Sequence, residues 1–347
     1  WPEDFVPQGR RIAVIGTGAS AIQFIPHIQK KADRLVVMQR TPPWVVAKAE
    51  QDFPANEEPR RALGRQRRLR WAWMAGLDVF VALTMRNIGM SLVEKGARSH
   101  LQKSVADPQL RALLTPQYRI GCKRPLQSND FYPAITANNV DYVASGLAEI
   151  RERTVVAADG REFEVDTIIW GTGFTNSQGA FDLVRGRDGR SMTEVFAGTP
   201  RTYRATMTAG FPNAFIVMGP NAGTYSVPLS VEMQSRYIRS AIEAMRRQDV
   251  EAIEVRPEAQ DQWTRFKDAQ FEKSVWNPAV GGCTSYYTTR EGINVSVWPG
   301  TVKQMHKAMS APFDMESYVV TRKATTSQVD ASRAPSRGQT VNKETVQ

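Results

Sequence analysis

The sequence predicts an α/β fold built on a parallel sheet, and three observations carry that expectation. A β-branched run, RRIAVIG at 10–16, reads as a strand buried on both faces. A glycine-rich turn then leads into 19–30, where Ile22, Ile25 and Ile28 share one helical face. A second apolar run, RLVVMQR at 34–40, completes a strand–helix–strand unit of the size of one βαβ crossover.

The remaining elements follow in chain order. Pro26 falls inside the first helix, where an interior proline costs about 3 kcal/mol, so a kink or a displaced start is expected. Thr41-Pro42-Pro43-Trp44 ends the second strand, and 55–115 reads as a mostly helical insertion. The sheet resumes at 140–145 (VDYVAS). Val155-Val156 and Phe163–Val165 flank Asp159-Gly160, a dipeptide suited to a type I′ hairpin turn. DTIIWGTGF at 166–174 reads as a buried strand ending at glycines, and NAFIVMGPN at 213–221 repeats that form. A helix follows at 229–247, with Val231, Tyr237, Ile238, Ile242 and Met245 as its apolar set. From about 319 the chain is rich in Ser, Thr, Lys and Gln, and a disordered tail is expected.

Composition sets the limits. With 347 residues, 41% apolar and 23% charged, the chain can bury a large core in one or two domains. It opens on Trp1 with no charged-then-apolar leader, so its beginning is expected to be a cut end. The longest apolar stretch, Trp71 to Met85, is short for a membrane span and holds Asp78 at its middle. A buried helix is expected there, an interfacial helix being the alternative, and membrane association is not expected. Cys122 and Cys283 lie far apart, make no disulfide framework and point to a reducing, cytoplasmic setting. His27, His100 and His306 lack metal-site spacing, and no G-x-S-x-G elbow supports a serine hydrolase.

The net charge of +10 is concentrated: between Glu57 and Arg124 stand fourteen Lys/Arg against five Asp/Glu. Arg60, Arg61, Arg65, Arg67, Arg68 and Arg70 open the helical insertion. They read as a solvated helix face or as attraction for an anionic cofactor. No base-reading motif accompanies them, so nucleic acid is not an expected partner.

Gly16-Thr17-Gly18-Ala19-Ser20-Ala21 matches G-x-G-x-x-A between a strand and a helix. Gly16 permits the tight turn, Gly18 lets a pyrophosphate approach the backbone, and Ala21 lets helix and strand pack closely. The helix N-terminus offers the phosphates free N–H groups and a favourable dipole. At the end of the second strand an NAD site places a carboxylate, whereas this chain has Gln39-Arg40-Thr41. A guanidinium binds phosphate through two parallel donors, so NADP is the expected nucleotide.

These residues resemble the class B flavoprotein monooxygenases, which comprise Baeyer–Villiger and flavin-containing monooxygenases. IAVIGTGASAIQ and VVMQRTPPW look like that family's NADPH loop. The likeness continues through GCKRP at 121–125, DTIIWGTGF, FPNAFIVMGPNAG at 211–223 and CTSYYTTREGINVSVWPG at 283–300, covering about 1–318. Trp1-Pro2 matches the last two residues of the family's fingerprint F-x-G-x-x-x-H-x-x-x-W-P or W-D. The family's first G-x-G-x-x-G loop, for the FAD pyrophosphate, has no counterpart in this chain.

The resemblance implies a Rossmann-like NADP-binding domain at 1–150 with the helical insertion at 55–115. It implies the C-terminal part of a two-dinucleotide-binding-domain FAD fold at 151–318, with the tail at 319–347. It further implies that Gly16, Thr17, Gly18, Ala19, Ser20 and Gln23 line the NADPH pyrophosphate, with Arg40, Thr41 and Lys123 toward the 2′-phosphate. Gly171, Thr172, Gly173, Phe174, Gly219, Pro220 and Asn221 would meet FAD, and Arg124 would be the catalytic arginine. In the family, NADPH reduces FAD, dioxygen adds, and the resulting peroxyflavin attacks a ketone to give an ester or lactone. Arg suits that step because it steadies an anionic oxygen and hardly acts as an acid. Two alternatives stay open: a heteroatom-oxygenating relative, and a non-catalytic NADP- or polyanion-binding fragment.

Overall fold

The computed structural model describes residues 2–49, 59–174, 179–224 and 226–322. In chain order the first half holds β1 (Arg11–Ile15), α1 (Ala21–Gln29), β2 (Arg34–Met38), β3 (Val45–Val46), α2 (Pro59–Arg86), α3 (Met90–Ser104) and α4 (Pro108–Leu113). Next come β4 (Leu126–Gln127), α5 (Phe131–Ile135), β5 (Val140–Val143), β6 (Leu147–Arg151), β7 (Thr154–Ala157), β8 (Glu162–Glu164) and β9 (Thr167–Trp170). The last part holds α6 (Met192–Phe196), α7 (Val227–Arg247), β10 (Val250–Val255), α8 (Pro257–Phe271), α9 (Pro278–Gly281), α10 (Val302–Ser310) and β11 (Tyr318–Arg322).

The main sheet runs β5-β2-β1-β9, every pair parallel. β1 is central, and its Ile12, Ala13 and Val14 are wholly buried because both sheet faces are covered. On one face Ile12, Val14, Leu35 and Val37 meet Ile22, Ile25 and Ile28 of α1. On the other, Ala13, Ile15, Val36 and Met38 meet Val143 and the hairpin residues Val155 and Val165. The hairpin is the antiparallel pair β7–β8, turning at Gly160 with φ +87°. Helix α1 starts at Ala21 rather than at 19 and runs on through a buried Pro26.

β3 and β4 form a short parallel pair from which the helical insertion departs and to which it returns. Leu126 N–H donates to Trp44 O at 2.8 Å, and the Trp44 indole donates to Tyr118 O at 2.8 Å. The segment carrying Arg40 is thereby tied to the one carrying Lys123.

Several expectations need correction. β9 pairs with β1, so the first sheet reaches past the expected boundary at 150. Residues 213–221 form no strand: Ile216 N–H goes to Thr206 O at 2.7 Å, and Asn213 and Met218 take φ of +54°. A strand needs a neighbouring strand to take its backbone groups, and none lies alongside among the described residues. Residues 319–322 are ordered in β11, antiparallel to β10, whereas 323–347 lie outside the described residues. On α7 the buried apolar residues are Leu229, Met233, Tyr237, Ala241 and Ala244, while Ile242 is 39% exposed. Cys122 and Cys283 are joined by a disulfide across 161 residues, which removes the argument for a reducing compartment. Only folding brings the two together, so their separation in sequence gave no sign of it. Helix α2 buries one face alone, since Trp71 is 72% and Trp73 51% exposed.

Candidate functional site

The glycine-rich loop is built by contact between two backbone turns. Gly16 has φ +98°, and a Cβ there would stand 2.6 Å from Gly171 O. Gly171 is equally tight, with Ala21 Cβ 3.2 Å from where its own Cβ would be. The sequence therefore needs glycine at both positions for β1 and β9 to end side by side. Gly18 differs: a Cβ there would find nothing nearer than Gly171 O at 3.8 Å. Its backbone, with exposed Ala19 and Ser20, faces open space at the start of α1. Ser20 makes no side-chain cap bond, which leaves that helix start for a ligand. Gln23 donates to Ala19 O at 2.8 Å and steadies the turn from within.

Beneath the loop lies a polar relay that the sequence reading missed. The Gln39 amide donates to the hydroxyl of buried Thr17 and accepts from the Tyr142 hydroxyl. Gln39 is 2% exposed, so β2 and β5 grip the glycine-rich loop through one side chain. A polar residue ending an apolar strand was the available signal.

Arg40 and Thr41 follow Gln39 at the surface. Lys123 reaches the same neighbourhood from the turn before β4, its ammonium 5.2 Å from the Tyr118 ring centroid. Burial, and then the charge of Arg40, push Lys123 below the ordinary lysine value of 10.5. Two cations within electrostatic reach of each other stand at the edge of the glycine-rich loop, and an anion between them would relieve their repulsion.

The next residue, Arg124, is exposed and lines a cavity of about 280 Å³. Gly219, Pro220, Trp276, Tyr287 and Ser296 lie on its other walls. Gly219 is required there, because a Cβ would stand 2.1 Å from Ile216 Cγ2. Asn221 is buried with φ +58°; its amide donates to Asn294 O and Val297 O, both at 3.1 Å. It pins the Gly219 loop to the 294–297 loop and does not line the cavity. The turn bearing Lys123 and Arg124 is clamped from behind by Cys122–Cys283 and by Arg119 N–H to Gly281 O at 2.9 Å.

The structure thus groups the expected residues into two neighbourhoods. Gly16 to Ser20 with Gly171 form one, and Arg124 with Gly219 and Pro220 the other. Lys123 bridges toward Arg40. Thr172 and Gly173 are exposed beyond β9 and Phe174 is 94% exposed; none of the three lines the cavity. Trp276, Tyr287 and Ser296 join the cavity without having been singled out. Among the described residues no group of His, Cys, Asp and Glu could hold a metal ion.

No family model matches the chain. It is 39% identical over 332 residues to a Baeyer-Villiger monooxygenase of Pseudomonas aeruginosa, covering 92% of this chain and 62% of that protein. It is 40% identical over 334 residues to another from Streptomyces coelicolor, covering 93% and 63%. An uncharacterized monooxygenase of Mycobacterium bovis is 32% identical over 346 residues, covering 98% and 67%. The chain therefore spans a little under two thirds of the length of the first two relatives. A structure of cyclohexanone monooxygenase from Rhodococcus sp. Phi1 bound to NADP+ superposes with TM-score 0.78 at 22% identity, covering 93% of this chain and 69% of that one. An oxidized steroid monooxygenase bound to NADP gives TM-score 0.78 at 24% identity, again covering 93% and 69%. Likeness at that level of identity shows a shared fold.

Proposed function

The chain belongs to the class B flavoprotein monooxygenase family, and from that premise we propose that it carries the NADPH site and one wall of the reaction cavity of a Baeyer–Villiger-type enzyme. The proposed reaction inserts one oxygen atom of O₂ into a ketone, giving an ester or lactone. One observation carries this reading. A single clamped turn, tied to the segment after Arg40 through Trp44 and Pro42, carries Lys123 within electrostatic reach of Arg40 and its neighbour Arg124 at the cavity, so one backbone segment serves both nucleotide and substrate.

The residues fit NADP. Open backbone at Gly18 and an uncapped helix start suit the pyrophosphate, and the Arg40–Lys123 pair suits the 2′-phosphate. The cavity fits the ring end of a flavin less fully: it offers one cation, aromatic walls and the Gly219-Pro220 backbone. FAD, when bound, supplies hydride acceptance and activation of dioxygen. The chain's own part is electrostatic and positional. A guanidinium keeps its charge and gives up no proton, so Arg124 steadies negative charge developing on oxygen at the cavity. The apolar walls from Trp276 and Val297 exclude water there.

The test is turnover of a form as long as the relatives, supplied with FAD and NADPH and given cyclic ketones and thioethers in parallel. Ester or lactone as the main product supports the reading. Sulfoxide alone would move it to the heteroatom-oxygenating branch.

A further inference from the structure

From the outer face of α2 we infer that the protein docks on an anionic lipid bilayer through this helix, lying flat at the surface. The inner face is spoken for. Val81 and Met85 are buried with Trp44, Ile120 and Val275, while Met74 and Leu77 pack toward Leu229 and Met233. Arg70 pairs with Glu232 at 2.8 Å, and the Asp78 carboxylate accepts from Lys303 N–H at 2.9 Å. Asp78, the only charged residue from Trp71 to Met85, is therefore turned toward the protein.

The opposite stripe, at 3.6 residues per turn, runs Arg68, Ala72, Ala75, Val79 and Arg86, all exposed. Trp71 and Trp73, two residues apart, stand on its two opposite flanks at 72% and 51% exposure, and Val79 is 60% exposed. Beyond the turn into α3, Ile88 and Leu92 extend the apolar surface at 58% and 76%. Exposed Arg67 and Arg68 stand at one end and Arg86 at the other, about 27 Å apart along the axis between Arg68 and Arg86.

The occupant follows from this chemistry. Tryptophan favours the headgroup level, where an apolar body meets a polar edge. Arginine stems lie along apolar surface while their heads reach outward to phosphates. A basic helix with an uncharged aromatic face binds in the plane of an anionic membrane. The exposed cations Arg67, Arg68 and Arg86 have the matching sign. Among the described residues no single helix is long and apolar enough to cross a membrane, and α3 turns away from α2 by 115°. The helix expected from sequence to be buried is thus buried on one face only.

Vesicles decide it. The whole protein is mixed with vesicles of phosphatidylcholine and phosphatidylglycerol, three parts to one, and with phosphatidylcholine alone; co-sedimentation and tryptophan emission are read. Binding to the anionic vesicles with a blue shift is expected. The double variant Trp71→Ala/Trp73→Ala should weaken it at least about tenfold, since each ring loses apolar burial. Arg67→Glu/Arg68→Glu should remove the preference for anionic lipid. NADPH titration and circular dichroism check that each variant stays folded. Three results overturn the inference: no sedimentation with anionic vesicles, sedimentation indifferent to both tryptophans, or a dimer on gel filtration that the tryptophan variants split. Loss of vesicle binding in a form as long as the relatives also overturns it, because the face is then covered by protein.

Discussion

Replacing Arg40 by Ala asks whether this chain reads the 2′-phosphate. A hydrogen bond to a charged group contributes about 1.5–3 kcal/mol, which corresponds to roughly 10- to 150-fold in affinity. Arg40 is exposed, so solvent screening puts the expected loss for NADPH near the low end, about tenfold. NADH lacks that phosphate and should bind the variant as before. The loss should shrink as salt is raised, because exposed charges are screened within about 10 Å at 0.1 M. A pH effect accompanies it. Free Lys123 is held below 10.5 by burial and by Arg40, whereas a bound phosphate favours the ammonium form. NADPH binding should therefore take up a proton at pH values between the lowered and the restored Lys123 value. NADPH affinity falls as pH rises through the lowered value. In the Arg40→Ala protein one of the two causes is gone, so that fall moves to higher pH. Calorimetric titration in two buffers of different ionisation enthalpy reads both quantities. Equal weakening of NADPH and NADH would refute the reasoning, as would a pH profile that Arg40→Ala leaves in place.

Other tests probe the remaining pieces. Gly16→Ala should cost about 1–3 kcal/mol of stability and so lower Tm, from its positive φ and the 2.6 Å approach to Gly171 O. Gly18→Ala, with 3.8 Å of room, should melt as the parent does yet bind NADPH more weakly. A Gly18 variant that binds normally refutes the open-backbone argument. Arg124→Ala in the full-length enzyme should leave NADPH binding alone and cut ester formation several hundred-fold, from a loss of about 3–4 kcal/mol. Arg124→Lys should recover little, and near-normal ester yield removes the arginine from the chemistry. The Cys122–Cys283 bridge closes a loop across 161 residues, and its loss should cost about 2–5 kcal/mol. Thermal melts with and without reductant read this; identical curves would mean that the cysteines are not paired in solution.

Much of the nucleotide half was legible in the sequence, because its determinants are local. A β-branched run, a helix with isoleucines on one face and G-x-G-x-x-A at their junction specify backbone conformation within a few residues. Arg40 could be singled out as a candidate because it stands just past the end of the second strand. The relay Gln39–Thr17–Tyr142 was half visible, as a glutamine misplaced in an apolar strand, but its partners stand 22 and 103 residues away.

By itself, then, the sequence determined the βαβ unit, the glycine-rich turn within it and the cation that stands after its second strand. Only the tertiary structure decided that β9 joins β1, that Cys122 meets Cys283, and that Lys123 comes beside Arg40. It alone decided that 213–221 stays irregular and that α2 keeps one aromatic face in solvent. The physical reason is the same in each case. Local periodicity fixes which residues prefer burial, whereas contacts across some 80 to 160 residues depend on which surfaces the folded chain brings together.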